Sequence, residues 1–261
     1  MPMTDLENTL HILLDVYAYN HAFRVAQSIP QFPSDALFLI ELLKERRELN
    51  LDFLSQHAKE VADIESQYGI SLQVNDSIEE EQLANYIYDL EIKVKNGEII
   101  DFVRSVSPIL YRLFLRLIRK QIPNFDHYIR DAKNDQYDTW EFDRMKEAQH
   151  PIFESFLGQR QSRNVTTRSL ADLLQLSQLP ENVKETVRQL RQFEKSVRNP
   201  LAHLIKAFDE EELHRTTQFS SLEFLNKIIE LATYSGVMYQ REPFYFDQIN
   251  TVIESQFSPK K

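Results

Sequence analysis

The chain contains no cysteine, which excludes disulfides, thiol nucleophiles and thiolate metal ligands. That absence suits a cytoplasmic protein. Glycine is scarce too: Gly69, Gly97, Gly158 and Gly236 are the only four in 261 residues. No glycine-rich strand-to-helix turn is available to cradle a nucleotide, and strands and helices do not alternate. Nor does any stretch approach the roughly 20 apolar residues of a membrane span. The opening residues carry Asp5 and Glu7 where a secretory leader would be basic and then apolar. The seven histidines show neither a His-Glu-x-x-His spacing nor cysteine partners, so no metal site and no cofactor is expected.

Aromatic and apolar residues are plentiful. There are 17 Phe and 11 Tyr, and 42% of the chain is hydrophobic, ample for one large or two small cores. The net charge of −10 is unevenly spread. Residues 1–95 hold 17 carboxylates against 7 basic side chains, whereas residues 96–261 hold 23 of each. The acidity therefore belongs to the first part, and the second can present local basic tracks within a neutral whole.

The periodicity is helical throughout, which predicts an all-α fold. Leu6, Leu10, Leu13, Leu14 and Tyr17 share one face, and Ala22 to Ile29 form a second helix closed by Pro30. A third is expected to run unbroken from Ser34-Asp35 to Tyr68, stopped by Gly69. Asn75-Asp76-Ser77 followed by Glu79-Glu80-Glu81 reads as the start of a fourth. Asn96-Gly97 is a turn signal and divides a helical domain, 1–96, from a second domain, 97–261. Glu98 to Ile122 is strongly apolar on one side and carries Arg112, Arg116, Arg119 and Lys120 on the other, either a solvated face or a nucleic-acid contact. Residues 124–161 are less regular, with Tyr137 and Trp140 as anchors. The acidic run Asp209 to Glu212 reads as a solvated turn.

One string stands apart: Arg198-Asn199-Pro200-Leu201-Ala202-His203. A permanent cation followed five positions later by a group that moves protons near neutral pH is minimal equipment for cutting RNA without a metal. The cation holds the scissile phosphate, and the imidazole handles a proton on the attacking or leaving oxygen. Val183, Val187, Leu190, Phe193 and Val197 predict an amphipathic helix leading into the string. Asn199-Pro200 is expected to break it, Asn199 capping a new helix from Pro200 whose N-terminus would face the phosphate. Arg188, Arg191, Lys195 and Arg198 share a face of the first helix. That stripe is either an ordinary exposed surface paired with Glu185 and Glu194 or a track for RNA. The bland reading of the pair is an arginine that caps helix-end carbonyls and a histidine that is an ordinary satisfied polar residue.

The full string, flanked by apolar helices in the last third of an all-helical chain, resembles the HEPN ribonucleases. More widely, residues 97–257 resemble the C-terminal part of the HEPN effector ribonucleases of type III-A CRISPR systems (the Csm family), and residues 4–96 look like their helical linker. The resemblance implies a cytoplasmic homodimer whose two strings face each other. It also implies cleavage of single-stranded RNA by the neighbouring 2′-hydroxyl, with Arg198, Asn199 and His203 at the site and antiviral defence as the role. Those effectors begin with a CARF domain that senses cyclic oligoadenylate. This chain lacks that pattern, either as a piece of a longer protein or as a natural form without the sensor. A HEPN toxin of a toxin–antitoxin pair and a non-catalytic helical dimerisation or RNA-binding module remain as alternatives.

Overall fold

The computed structural model describes residues 5–130, 138–159, 162–203 and 207–257, with backbone alone at 198–203. Fourteen α-helices fall among the described residues, and the fold is all-α as the periodicity predicts. None of these helices is long and apolar enough to cross a membrane. The chain divides into two compact units, residues 1–92 with 237–261, and residues 93–236.

The first unit holds α1 (Asp5–Asp15), α2 (Tyr19–Ser28), α3 (Ser34–Arg47), α4 (Asp52–Gln56), α5 (Ala58–Tyr68) and most of α6 (Ile78–Lys95). The single helix expected over 34–68 is three. The backbone turns left-handed at Leu49 (φ +61°), and the Asn50 side chain bonds back to Glu45 at 2.6 Å. Leucine carries no signal for that conformation, which asparagine and glycine usually supply. The start of α6 is as predicted, and Glu81 is buried there. Its carboxylate pairs with the buried Arg46 of α3 and accepts from the Asn75 backbone at 2.8 Å. Arg46 also donates to Asn85 at 3.0 Å and lies 4.6 Å from the Tyr245 ring centre. A charge this deep persists only when paired and bonded on several sides.

The second unit holds α7 (Ile99–Gln121), α8 (Phe142–Glu147), α9 (Pro151–Leu157), α10 (Thr167–Gln175), α11 (Glu181–His203), α12 (Glu210–Thr217) and α13 (Ser221–Tyr234). α7 is its central column and touches α10, α11 and α13. It presents Phe102, Val106, Leu110, Leu113 and Leu117 inward and runs through Pro108 without ending. Each such side chain contributes roughly 1.5–3 kcal/mol by leaving water. Phe193 of α11 stacks on Phe224 of α13 with ring centres 3.4 Å apart, which fixes the rotation of α11. The irregular stretch forms a hairpin, β1 (Ile129–Arg130) antiparallel to β2 (Thr139–Trp140). Trp140 is buried against Phe125 and Phe156, an anchor as expected, and Tyr137 lies outside the described residues.

The last helix, α14 (Tyr245–Phe257), belongs to the first unit. Asn250 ties it there, accepting from the Tyr19 hydroxyl at 2.9 Å and donating to the Leu14 carbonyl at 3.0 Å. The unit edges thus fall at Ile92 and Gly236, whereas the turn signal at Asn96-Gly97 had put everything after it in one domain.

Candidate functional site

α11 forms because its apolar residues recur at three and four and meet α7, α10 and α13. Val183, Val187, Leu190, Phe193 and Val197 are all buried, the face read from the sequence. The end of the helix differs from expectation. α11 continues to His203, so Asn199 caps no new helix and Pro200 starts none. Proline lacks an amide hydrogen, so the carbonyl four residues back, at Ser196, receives none from it. α7 tolerates Pro108 in the same way, because tertiary packing of an apolar face outweighs one missing bond.

This continuity changes the electrostatics. Positions 198–203 are the last described residues of a long helix, toward its negative pole, and not a helix N-terminus. Over 198–203 the described backbone offers a phosphate no amide donors of a helix start. On a regular helix, positions five apart differ by about 140° around the axis and about 7.5 Å along it. The side chains of Arg198, Asn199 and His203 lie outside the described residues.

The basic stripe opens onto a groove of about 460 Å³ between α10 and α11. α11 lines it with Arg188, Arg191, Gln192 and Lys195, and α10 adds Arg168, Asp172 and Gln175. Arg188 is held by Glu185 and by Gln175 (3.0 Å) and lies 3.4 Å from Glu181. Arg168 faces Asp172 at 3.9 Å. Arg191 donates to Glu194 at 3.2 Å, and the Glu194 side chain is only 2% exposed. That carboxylate fixes Arg191 from beneath. Lys195 is exposed and forms no ion pair among the described residues. Arg168 was missed in the sequence because it lies 20 residues before the stripe. Its one local sign is the Thr166–Ser169 capping box that starts α10, with bonds of 3.1 and 2.9 Å.

Three of the cations of α7 are engaged within the fold. Arg116 (3.0 Å) and Lys120 (2.6 Å) both donate to the Ser235 carbonyl at the end of α13, where positive charge meets the negative pole of a helix. Arg119 pairs with Asp126 at 2.7 Å. The acidic run is a capping device: Asp209 accepts from the Glu212 amide (2.9 Å), and Glu210 accepts from the Ser221 amide (2.7 Å). Among the described residues no cluster of three histidine or carboxylate side chains could hold a metal ion.

The Cas_Csm6 HEPN domain family model matches residues 72–254 of this chain. Among solved structures, the fold is similar to Enterococcus italicus Csm6 bound to cyclic hexa-2′-fluoro-hexa-dAMP. The TM-score is 0.67 at 16% sequence identity, over 97% of this chain. The chain spans 57% of that protein's chain. No curated protein matches the sequence.

Proposed function

This chain belongs to the family of Cas_Csm6 HEPN domains, and from that membership we propose that it is a metal-independent endoribonuclease for single-stranded RNA. It acts as a homodimer in the cytoplasm, as an antiviral effector of a type III CRISPR system. Along the sequence, residues 1–96 serve as a helical linker and 97–261 as the HEPN part, whose last helix, α14, packs within the first compact unit. The observation that carries the reading is the Arg198-to-His203 string on α11, inside the stretch that the family model covers.

The 2′-oxygen attacks the adjacent phosphorus, and the 5′-oxygen leaves with a proton. The products are a 2′,3′-cyclic phosphate and a 5′-hydroxyl. Arg198 neutralises the phosphorane, because a planar fork can hold two of its oxygens at once. His203 carries the proton or orients the 2′-hydroxyl, and Asn199 hydrogen-bonds within the site. The helix geometry favours a composite site. Positions about 140° apart on one helix do not converge on one phosphate by themselves, whereas a two-fold axis sets one copy's arginine against the other's histidine. The negative helix end gives a second reason to gather two arginines there.

A cyclic oligoadenylate, the ligand class held by the Enterococcus italicus protein, would control this activity through a CARF domain. The described residues contain no such domain: their one sheet has two strands of two residues.

The test is incubation with a fluorescent single-stranded RNA in excess EDTA. Cleavage persists in EDTA, and His203→Ala slows it by about 100-fold or more, the usual scale for losing a general acid or base. Abolition by EDTA, or full activity in His203→Ala, would refute the mechanism.

A further inference from the structure

We propose that the groove between α10 and α11 is a two-walled track for the phosphate backbone of single-stranded RNA, with Arg168 of α10 facing the cations of α11. The inference rests on the ribonuclease reading and deepens it: it assigns substrate binding to described residues away from the string and adds a wall that the helical stripe alone lacks.

Four cations line the groove, Arg168, Arg188, Arg191 and Lys195, against one lining carboxylate, Asp172. Glu181 and Glu185 flank it and are already engaged with Arg188. Glu194 lies beneath, spent on Arg191. The surface pairs are weak holders. Arg168 is 76% exposed and Arg188 52%, and exposed pairs are worth about 0–1 kcal/mol. A phosphate outcompetes such partners because it offers several anionic oxygens to a guanidinium fork. Arg191 is different, pinned by a buried carboxylate and therefore pre-set at the wall. Gln192 is the exposed neutral side chain between the charges, and Gln175 braces the wall, donating to the Lys184 carbonyl and accepting from Arg188, each at 3.0 Å.

Length and direction agree with this role. From Arg188 to Lys195 the α11 wall runs about 10 Å at 1.5 Å per residue, and Arg198 follows one turn later on the same stripe. A strand lying in the groove is thus handed toward the position that reads as catalytic. The apolar share of the groove comes from Ala171 and from the stems of the long cations, with no aromatic platform. It should therefore bind backbone rather than bases and be indifferent to sequence.

The experiment uses an RNA with 2′-O-methyl sugars, which cannot attack its own phosphates, so binding is read apart from cleavage. Its affinity for the wild-type chain, Arg168→Gln, Lys195→Gln and, as a control, Lys146→Gln on α8 is measured over a salt series. Each lost phosphate contact should lower the slope of log K against log salt by about 0.7. The expected result is that decrease, with several-fold weaker binding, in Arg168→Gln and Lys195→Gln and no change in Lys146→Gln. All the substituted side chains are exposed, so retention of the wild-type thermal midpoint checks the fold. Slopes equal to wild type in both groove variants overturn the proposal, as does a wild-type chain that does not bind the RNA. The two readings fail separately. Groove-dependent binding without any cleavage of unmodified RNA refutes the ribonuclease and leaves the track. Arg198-dependent cleavage with unchanged slopes refutes the track and leaves the ribonuclease.

Discussion

At the scale of single residues, charge geometry matters more than charge. Lysine at 198 keeps the cation but loses the planar fork that spans two phosphate oxygens. Arg198→Lys should therefore cleave at least tenfold more slowly in a single-turnover assay while its thermal midpoint is unchanged. A wild-type rate would reduce Arg198 to background charge. Arg191 has a structural duty as well, because the carboxylate it faces is buried. Arg191→Ala takes one partner from Glu194 and should lower the unfolding free energy by about 1–3 kcal/mol in urea. Tyr111 gives a pH handle. Burial and its hydrogen bond to Asp138 push its hydroxyl well above the usual tyrosine range. Its contribution is present below about pH 10, where the unfolded chain also keeps the proton, and is lost as the pH rises beyond that. Urea midpoints should therefore fall as the pH rises above about 10 and keep falling beyond it, and Tyr111→Phe should lessen the fall.

At the scale of elements, two helix ends control the site. α10 is started by the Thr166 hydroxyl, which accepts from the Ser169 amide, while Ser169 receives the Trp140 indole at 3.3 Å. Thr166→Ala should cost about 1 kcal/mol, read by urea unfolding, and loosen the helix that carries Arg168. α11 carries a proline where a helix former would serve stability better. Replacing Pro200 by alanine should stabilise the fold by about 1–3 kcal/mol. If the backbone at 200 tunes the site, the same variant should cleave more slowly, a gain in midpoint with a loss in rate.

At the scale of the whole molecule, the composite site makes a mixing prediction. Wild-type chain refolded with excess Arg198→Ala/His203→Ala partner should lose activity per wild-type chain as heterodimers form. Activity that tracks the wild-type chain alone, with heterodimers demonstrated, would mean that each protomer holds a complete site.

The sequence by itself determined the helices and their buried faces. The period of three and four that put Val183, Val187, Leu190, Phe193 and Val197 on one side is local, and all five are buried. It also displayed the Arg198-to-His203 string, because that spacing lies within a few residues. Tertiary structure decided the rest. Continuity through Pro200 depends on packing that proline's propensity opposes. The split at Leu49 uses a backbone conformation that leucine does not announce. Arg168 joins the groove, and α14 joins the first unit, through partners 20 to more than 200 residues away along the chain. Periodicity records which way a helix faces, not which helix it meets, because that choice is made by contacts distant in sequence.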